Sequence, residues 1–107
     1  MAWTIEFYNE KEQEIIEKWP IGIRAVYARI TENIEEFGPN LGLPYTKSLR
    51  GGLFEIRAKG KEGIGRSLFC TVVGNKVIIL NSFIKKTQKT PKKELDLARK
   101  RMKELDK

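Results

Sequence analysis

The sequence predicts an α+β fold, a small antiparallel sheet with helices packed on one face, in the element order β-α-α-β-β-β-α. Two stretches within residues 10–37 repeat apolar residues at helical spacing. Three segments within residues 53–84 follow one another with strand patterns and tight turns between them. A last apolar stripe at helical spacing follows. Short connections make the three consecutive strands antiparallel neighbours, and their apolar face needs the helices as a cover.

The first elements are a strand and two helices. Trp3–Tyr8 alternates between apolar and polar residues and is predicted to be a strand. Asn9 is a suitable N-cap for a helix that ends before Pro20. Six apolar residues between Ile23 and Phe37 then recur at spacings of three, four or one, which predicts a longer helix that ends at Gly38.

Residues 38–52 are predicted to be a loop, because they contain four glycines and two prolines. This loop is long for a chain of 107 residues. Long loops in compact domains are often functional, so the segment is a candidate part of a binding site.

Three predicted strands follow the loop. The first, Leu53–Lys59, places Glu55, Arg57 and Lys59 on one face. Arg66–Val73 is the second. The third, Lys76–Ile84, follows a Gly-Asn hairpin signal. The third strand is apolar on both faces, which is typical of a strand inside a sheet rather than at its edge.

The final helix is predicted to begin at Thr90 and Pro91, with the threonine as its cap and the proline at its first position. Its apolar stripe consists of Leu95, Ala98, Met102 and Leu105.

Length and composition predict one domain over residues 1–107. The chain has one cysteine, Cys70, and no histidine, so histidine catalysis, cysteine-based zinc sites and internal disulfides are excluded. No metal and no cofactor are expected. The N-terminus lacks the pattern of a signal peptide, and no apolar run reaches the length of a membrane span. We therefore expect a cytoplasmic protein without a membrane partner.

The positive charge is unevenly distributed. Residues 1–40 carry a net charge of −4, residues 41–82 carry +5 and residues 83–107 carry +6. A surplus of cations in the last two thirds favours a one-sided surface for an anionic partner, and a nucleic acid is the first candidate. An acidic protein partner would also fit this charge.

A strand edge concentrates the candidate site residues. Arg57 and Arg66 lie on adjacent predicted strands, and Lys85, Lys86 and Lys89 follow the next one. A sheet with strands about 4.8 Å apart can gather such side chains into one patch. Cleavage of RNA requires stabilisation of a charged phosphorane, for which guanidinium groups are suited, and proton transfer, which without histidine falls to a lysine, a tyrosine or Glu55.

Each candidate also has a structural interpretation. Arg57 could pair with Glu55 or with an acidic group of the first helices, and the lysines could form a solvated turn. Phe83 could stack on a base or pack in the core, and Tyr45 of the long loop could also stack on a base. Cys70 is expected to be a buried small apolar residue.

Four segments together resemble the phage-derived HigB-type branch of the RelE/ParE toxin superfamily. They are residues 49–57 (LRGGLFEIR), 65–69 (GRSLF), 79–91 (ILNSFIKKTQKTP) and 94–101 (ELDLARKR). The resemblance extends over nearly the whole chain. It implies a RelE-like fold and the toxin half of a type II toxin–antitoxin pair, with a helix-turn-helix antitoxin as partner.

The resemblance also implies an activity, ribosome-dependent endoribonuclease cleavage of mRNA. The catalytic residues that it implies are Arg57, Arg66 and Lys86, and the other residues predicted to contact RNA are Lys59, Phe83, Lys85 and Lys89. Relatives of the ParE type share the fold and inhibit DNA gyrase without cutting RNA. A non-catalytic toxin or nucleic-acid-binding protein therefore remains the alternative.

Overall fold

A computed structural model of the protein describes residues 2–85 and 89–105. The elements in these ranges are β1 (Thr4–Phe7), α1 (Glu10–Glu17), α2 (Ile21–Phe37), β2 (Thr46–Ser48), β3 (Phe54–Gly60), β4 (Gly63–Val72), β5 (Lys76–Lys85) and α3 (Lys92–Leu105). The predicted α+β class is confirmed, and every predicted helix and strand is present within a few residues of its expected bounds. None of the described helices has the length and hydrophobicity needed to cross a membrane.

The sheet has the strand order β1-β5-β4-β3-β2. The strands β2 to β5 are antiparallel to their neighbours, whereas β1 runs parallel to β5. The predicted antiparallel sheet is therefore mixed. Since β1 is separated from β5 by two helices and three strands, no tight turn fixes its direction. The prediction that β5 lies inside the sheet is confirmed.

Helices cover both faces of the sheet, which corrects the expectation that they pack on one face. The first core cluster joins α1 and α2 to Val77, Ile79 and their neighbours. The second joins α3, through Ala98, to Ile78 and Leu80 on the opposite face. The apolar residues of β5 alternate between the two clusters, so each face needs its own cover. The third helix supplies the second cover.

The strand β2 lies inside the segment that was predicted to be a loop. It has three residues and pairs with β3, with Thr46 opposite Ile56 and Ser48 opposite Phe54. Thr46 is buried, and its hydroxyl accepts a hydrogen bond from the Gly42 N–H at 2.8 Å. A strand of three polar residues has no apolar alternation, which is why the sequence pattern does not reveal it.

Candidate nucleic-acid interface

Arg57 of β3 and Arg66 of β4 stand directly opposite each other in the sheet. The backbone N–H of Arg57 points the other way, to the Tyr45 carbonyl beside β2, at 2.8 Å. Arg57 and Arg66 are therefore a non-hydrogen-bonded cross-strand pair, in which Cα atoms are about 4.5 Å apart and side chains are closest. The two guanidinium groups project from the face of the sheet that α3 also covers.

One carboxylate lies between the two arginines. Glu55 Oε1 is 3.7 Å from Arg57 Nε, and Glu55 Oε2 is 3.6 Å from Arg66 Nη1. Two cations directly opposite each other destabilise a sheet, and the shared carboxylate offsets their repulsion. Pairing of Arg57 with Glu55, the structural alternative for this arginine, is thus observed, and the same carboxylate also pairs with Arg66. The three side chains carry a net charge of +1.

The hydroxyl of Thr90 completes this cluster. It accepts a hydrogen bond from Arg66 Nη1 at 3.1 Å and donates one to Glu55 Oε2 at 2.7 Å. The prediction that Thr90 caps the last helix is wrong, because its hydroxyl bonds to Arg66 and Glu55. The Pro91 carbonyl accepts the first helical hydrogen bond, from the Leu95 N–H, and α3 begins at Lys92. Thr90 instead connects the chain before α3 to the arginine pair.

The two arginines differ in access to solvent. The Arg66 side chain is 0% exposed, whereas the Arg57 side chain is 16% exposed. Burial lowers the pKa of Arg66; the Glu55 carboxylate opposes that shift and Arg57 adds to it. Arginine remains protonated at neutral pH in proteins, because the guanidinium group is the strongest base among the side chains. An anion from solution therefore meets Arg57 first and can reach Arg66 only if its cover moves.

Two exposed lysines flank the cluster on the same face. Ile64 of β4 lies opposite Lys59 of β3 on one side and opposite Lys85 of β5 on the other. Because side chains two residues apart share a face, this row lies beside the row that contains Arg57 and Arg66. The sheet thus brings four of the predicted cations onto one surface.

The remaining predicted residues have different surroundings. Phe83 lies opposite Arg66 and is half-buried against the second core cluster. Lys89 is exposed and precedes Thr90 in the chain. Lys86 lies outside the described residues.

A groove runs along this surface. It has a volume of about 300 Å³ and is lined by Leu43, Pro44, Arg57, Lys59 and Ile64. Three of these, the apolar ones, were not predicted as site residues. Leu43 and Pro44 belong to the Gly- and Pro-rich segment whose length indicated a functional role, so a signal for them existed. Ile64 carried none, since a buried isoleucine in a strand is ordinary.

Metal binding has no geometric support in the part of the chain that the structure describes. No three or more histidine, cysteine, aspartate or glutamate side chains are arranged there so that they could hold a metal ion. The cysteine, Cys70, is buried as expected.

Two structures of known proteins share this fold. The E. coli toxin RelE, solved in the free state as a mutant with two arginines changed to alanine, superposes with a TM-score of 0.70. The match covers 95% of this chain and 99% of that one at 15% identity. The archaeal RelE–RelB complex from Pyrococcus horikoshii OT3 gives a TM-score of 0.58 at 13% identity, covering 78% of this chain and 96% of that one.

The sequence itself matches the model of one protein family, described as phage-derived protein Gp49-like, over residues 14–103. Comparison with curated proteins gives no significant match. The predicted resemblance to phage-derived relatives of RelE is thereby confirmed. The chain belongs to the phage-derived Gp49-like family, and its fold is that of RelE.

Proposed function

We propose that this protein is the toxin of a type II toxin–antitoxin system, that it cleaves mRNA on the ribosome, and that a helix-turn-helix antitoxin neutralises it. Its family and its fold support the toxin assignment, since the structures that it resembles are a toxin, RelE, and a RelE–RelB complex. Because mRNA and ribosomes are its targets, it acts in the cytoplasm.

The observation that carries the nuclease assignment is the cross-strand pair of Arg57 and Arg66 beside Lys59 and Lys85. In the proposed reaction the ribose 2′-oxygen loses its proton and attacks the adjacent phosphorus. The phosphorane then breaks the bond to the 5′-oxygen, which takes up a proton. Negative charge grows on the non-bridging oxygens, and fixed cations stabilise this charge more than that of the ground state.

The arginines have unequal roles in this proposal. Arg57, at the surface, contacts the phosphate. Arg66, beneath it, holds Glu55 in place and contributes its field. Phosphate contact by Arg66 itself requires Thr90 to move, since the Arg66 side chain is fully covered. Lys86 is proposed as the proton-transfer group.

Induction of the protein in growing cells tests this proposal. We expect growth arrest, loss of protein synthesis and new mRNA 5′ ends within codons, mapped by primer extension. Arg57→Ala should abolish the new ends. Arg24→Ala is the matched control, because Arg24 is an exposed arginine of α2 on the opposite side of the sheet. Equal cleavage by both variants would contradict the assignment.

A second candidate function is a toxin that docks to a target such as DNA gyrase without cutting RNA. The complete burial of Arg66 favours it, because a buried arginine bound to Glu55 and Thr90 can be purely structural. This candidate predicts arrest of growth without new mRNA ends. A small helix-turn-helix protein encoded in the neighbouring reading frame, able to bind this chain and relieve arrest, would support a toxin of either kind.

A further inference from the structure

We propose that the groove beside Arg57 and Lys59 binds one base of a single-stranded RNA, with the phosphate of that nucleotide on the two cations. This inference rests on the proposed function and deepens it, because it extends the site from the arginine pair to Leu43, Pro44, Lys59 and Ile64. The ligand class is a nucleotide in an unstacked strand.

The groove has an apolar side. Leu43 is 65% exposed and Pro44 is exposed as well, while Ile64 is buried at the floor. A single exposed leucine is common on protein surfaces and needs no explanation. Here, however, leucine and proline stand together over a concave surface with an apolar floor. A flat apolar group that displaces water from such a surface binds favourably, because apolar area on both sides is removed from water.

The same groove has a cationic side. Arg57 and Lys59 line it, and Lys85 lies across β4 from Lys59, with Ile64 between them. A nucleotide combines an aromatic base with an anionic phosphate a few ångströms away, so one ligand satisfies both sides of the groove. Single strands are held in this way elsewhere, by cations that follow the backbone and apolar surfaces that receive the bases.

The groove favours a single strand over a duplex. In a duplex the faces of the bases are stacked on each other and cannot lie on Leu43 and Pro44. An acidic peptide with an apolar side chain is the competing occupant, and its binding is one outcome of the test below.

Binding of two strands to the full-length protein, measured by fluorescence anisotropy at fixed salt, tests the inference. One is a short single-stranded RNA with 2′-O-methyl groups, which prevent cleavage. The other is an abasic strand with the same number of phosphates. The wild type should bind the base-containing strand about tenfold more tightly than the abasic one, since base contacts add to the phosphate contacts.

Leu43→Ser should weaken binding of the base-containing strand about fivefold and leave the abasic strand unchanged, since it removes apolar contact area but no charge. Val73→Ser is the matched control, because Val73 is 97% exposed in the turn between β4 and β5. Lys59→Ala should weaken the binding of both strands by a similar factor, because each strand loses a phosphate contact.

Four results would overturn the inference. Equal affinity of Leu43→Ser and Val73→Ser for the base-containing strand would show that Leu43 does not contact the base. Equal affinity of the wild type for the two strands would show that the protein contacts phosphates alone, with the proposed nuclease function intact. An acidic peptide that displaces the RNA and loses affinity on Leu43→Ser would assign the groove to a protein partner. Failure of the wild type to bind either strand would reject RNA binding itself, and the inference with it.

Discussion

Arg101 of α3 and Glu12 of α1 form an ion pair of 2.8 Å beyond the end of β1, where both side chains bond to the backbone of β5. β1 ends at Phe7, opposite Ile79, so none of the described strands lies beside the next backbone groups of β5 on that side. The Ser82 N–H donates to Glu12 Oε1 at 3.2 Å, and the Leu80 carbonyl accepts from Arg101 Nη1 at 2.6 Å.

This pair also stabilises an irregularity in the sheet. Leu68 lies opposite Asn81, whereas Phe69 lies opposite Ile79, which leaves Leu80 as an extra residue in β5. The carbonyl of an extra residue in a bulge lies outside the regular ladder. Arg101 donates a hydrogen bond to that carbonyl. The ion pair thereby connects α1 and α3 to the end of β5 that carries Phe83 and Lys85.

We therefore predict that Glu12 and Arg101 are strongly coupled. In a double-mutant cycle of Glu12→Gln and Arg101→Met, each single variant should lower the free energy of unfolding by about 2–4 kcal/mol, because it leaves the partner charge largely buried. The double variant should lose less than the two losses added together. Urea unfolding followed by circular dichroism measures all four proteins.

The control is Lys92→Met, which breaks the exposed ion pair of Lys92 with Asp96 in the first turns of α3. That variant should leave the unfolding curve nearly unchanged, because water and salt screen a pair on the surface. Additive losses for Glu12 and Arg101 would contradict the coupling.

The Thr90 hydroxyl should matter for activity through Glu55 and Arg66. Thr90→Val keeps the shape of the side chain but removes both hydrogen bonds, while Thr90→Ser keeps them. If the hydroxyl positions the cluster, Thr90→Val lowers kcat for mRNA cleavage about tenfold or more with a small change in KM, and Thr90→Ser restores it.

Thr31→Val is the control for that experiment, because the Thr31 hydroxyl donates to the Ala28 carbonyl of its own helix, on the opposite side of the sheet from the cluster. Its activity should equal that of the wild type. A Thr90→Val protein that cleaves faster than the wild type would identify Thr90 as a cover over Arg66 instead of a positioning residue.

The two arginines should differ in their effect on stability. Arg66→Ala leaves the buried Glu55 carboxylate without its closest buried cation, so we expect a loss of about 2–4 kcal/mol in the free energy of unfolding. Arg57→Ala removes a side chain with some access to water and should cost about 1 kcal/mol. Chemical denaturation of both variants measures the difference. Equal losses would contradict the assignment of Arg66 as the structural member of the pair.

Tyr27 gives a pH dependence. Its hydroxyl is buried, accepts a hydrogen bond from Ser67 at 2.8 Å, and burial raises its pKa far above the ordinary value, with the Ser67 bond opposing. A raised pKa means that the native state keeps a proton which the unfolded chain loses near pH 10. The stabilisation is complete below that pH and declines as the pH rises further.

Tyr27→Phe should therefore cost about 1 kcal/mol at pH 7, from the lost hydrogen bond, and lose less additional stability than the wild type above pH 10. Urea unfolding at pH 7 and pH 11 gives the comparison. Tyr45→Phe, at a half-exposed ring, should follow the wild type at both pH values. Equal losses of unfolding free energy between pH 7 and pH 11 in the wild type and in Tyr27→Phe would show that the Tyr27 hydroxyl does not cause the pH dependence.

The sequence was sufficient for the elements that have their own periodicity. The stripe from Ile23 to Phe37 is the buried face of α2, and the turn at Gly74 and Asn75 joins β4 to β5. Alternation also placed Arg57 and Lys59 on one face, where they line the groove. These features depend on neighbours within a few residues, which a linear pattern records.

Features that depend on distant contacts were not predictable. The third helix lies on the second face because apolar side chains of β4 and β5 on that face need a cover. The apolar stripe of a helix does not indicate which face of the sheet it packs against. The burial of Arg66 and the bond from Thr90 to Glu55 join residues 24 and 35 positions apart. Thr90 before a proline resembles an N-cap at the level of sequence, and only its tertiary contacts show the other use of its hydroxyl.

RNA binding on this face of the sheet is tested most directly by a map of amide chemical shifts in the full-length protein during titration with the 2′-O-methyl RNA strand. We predict shifts concentrated at Arg57, Lys59, Ile64 and Lys85, with little change along α1 and the outer face of α2. Shifts confined to the acidic surface around Glu10 and Glu14, or none at millimolar RNA, would contradict an RNA site on this face of the sheet.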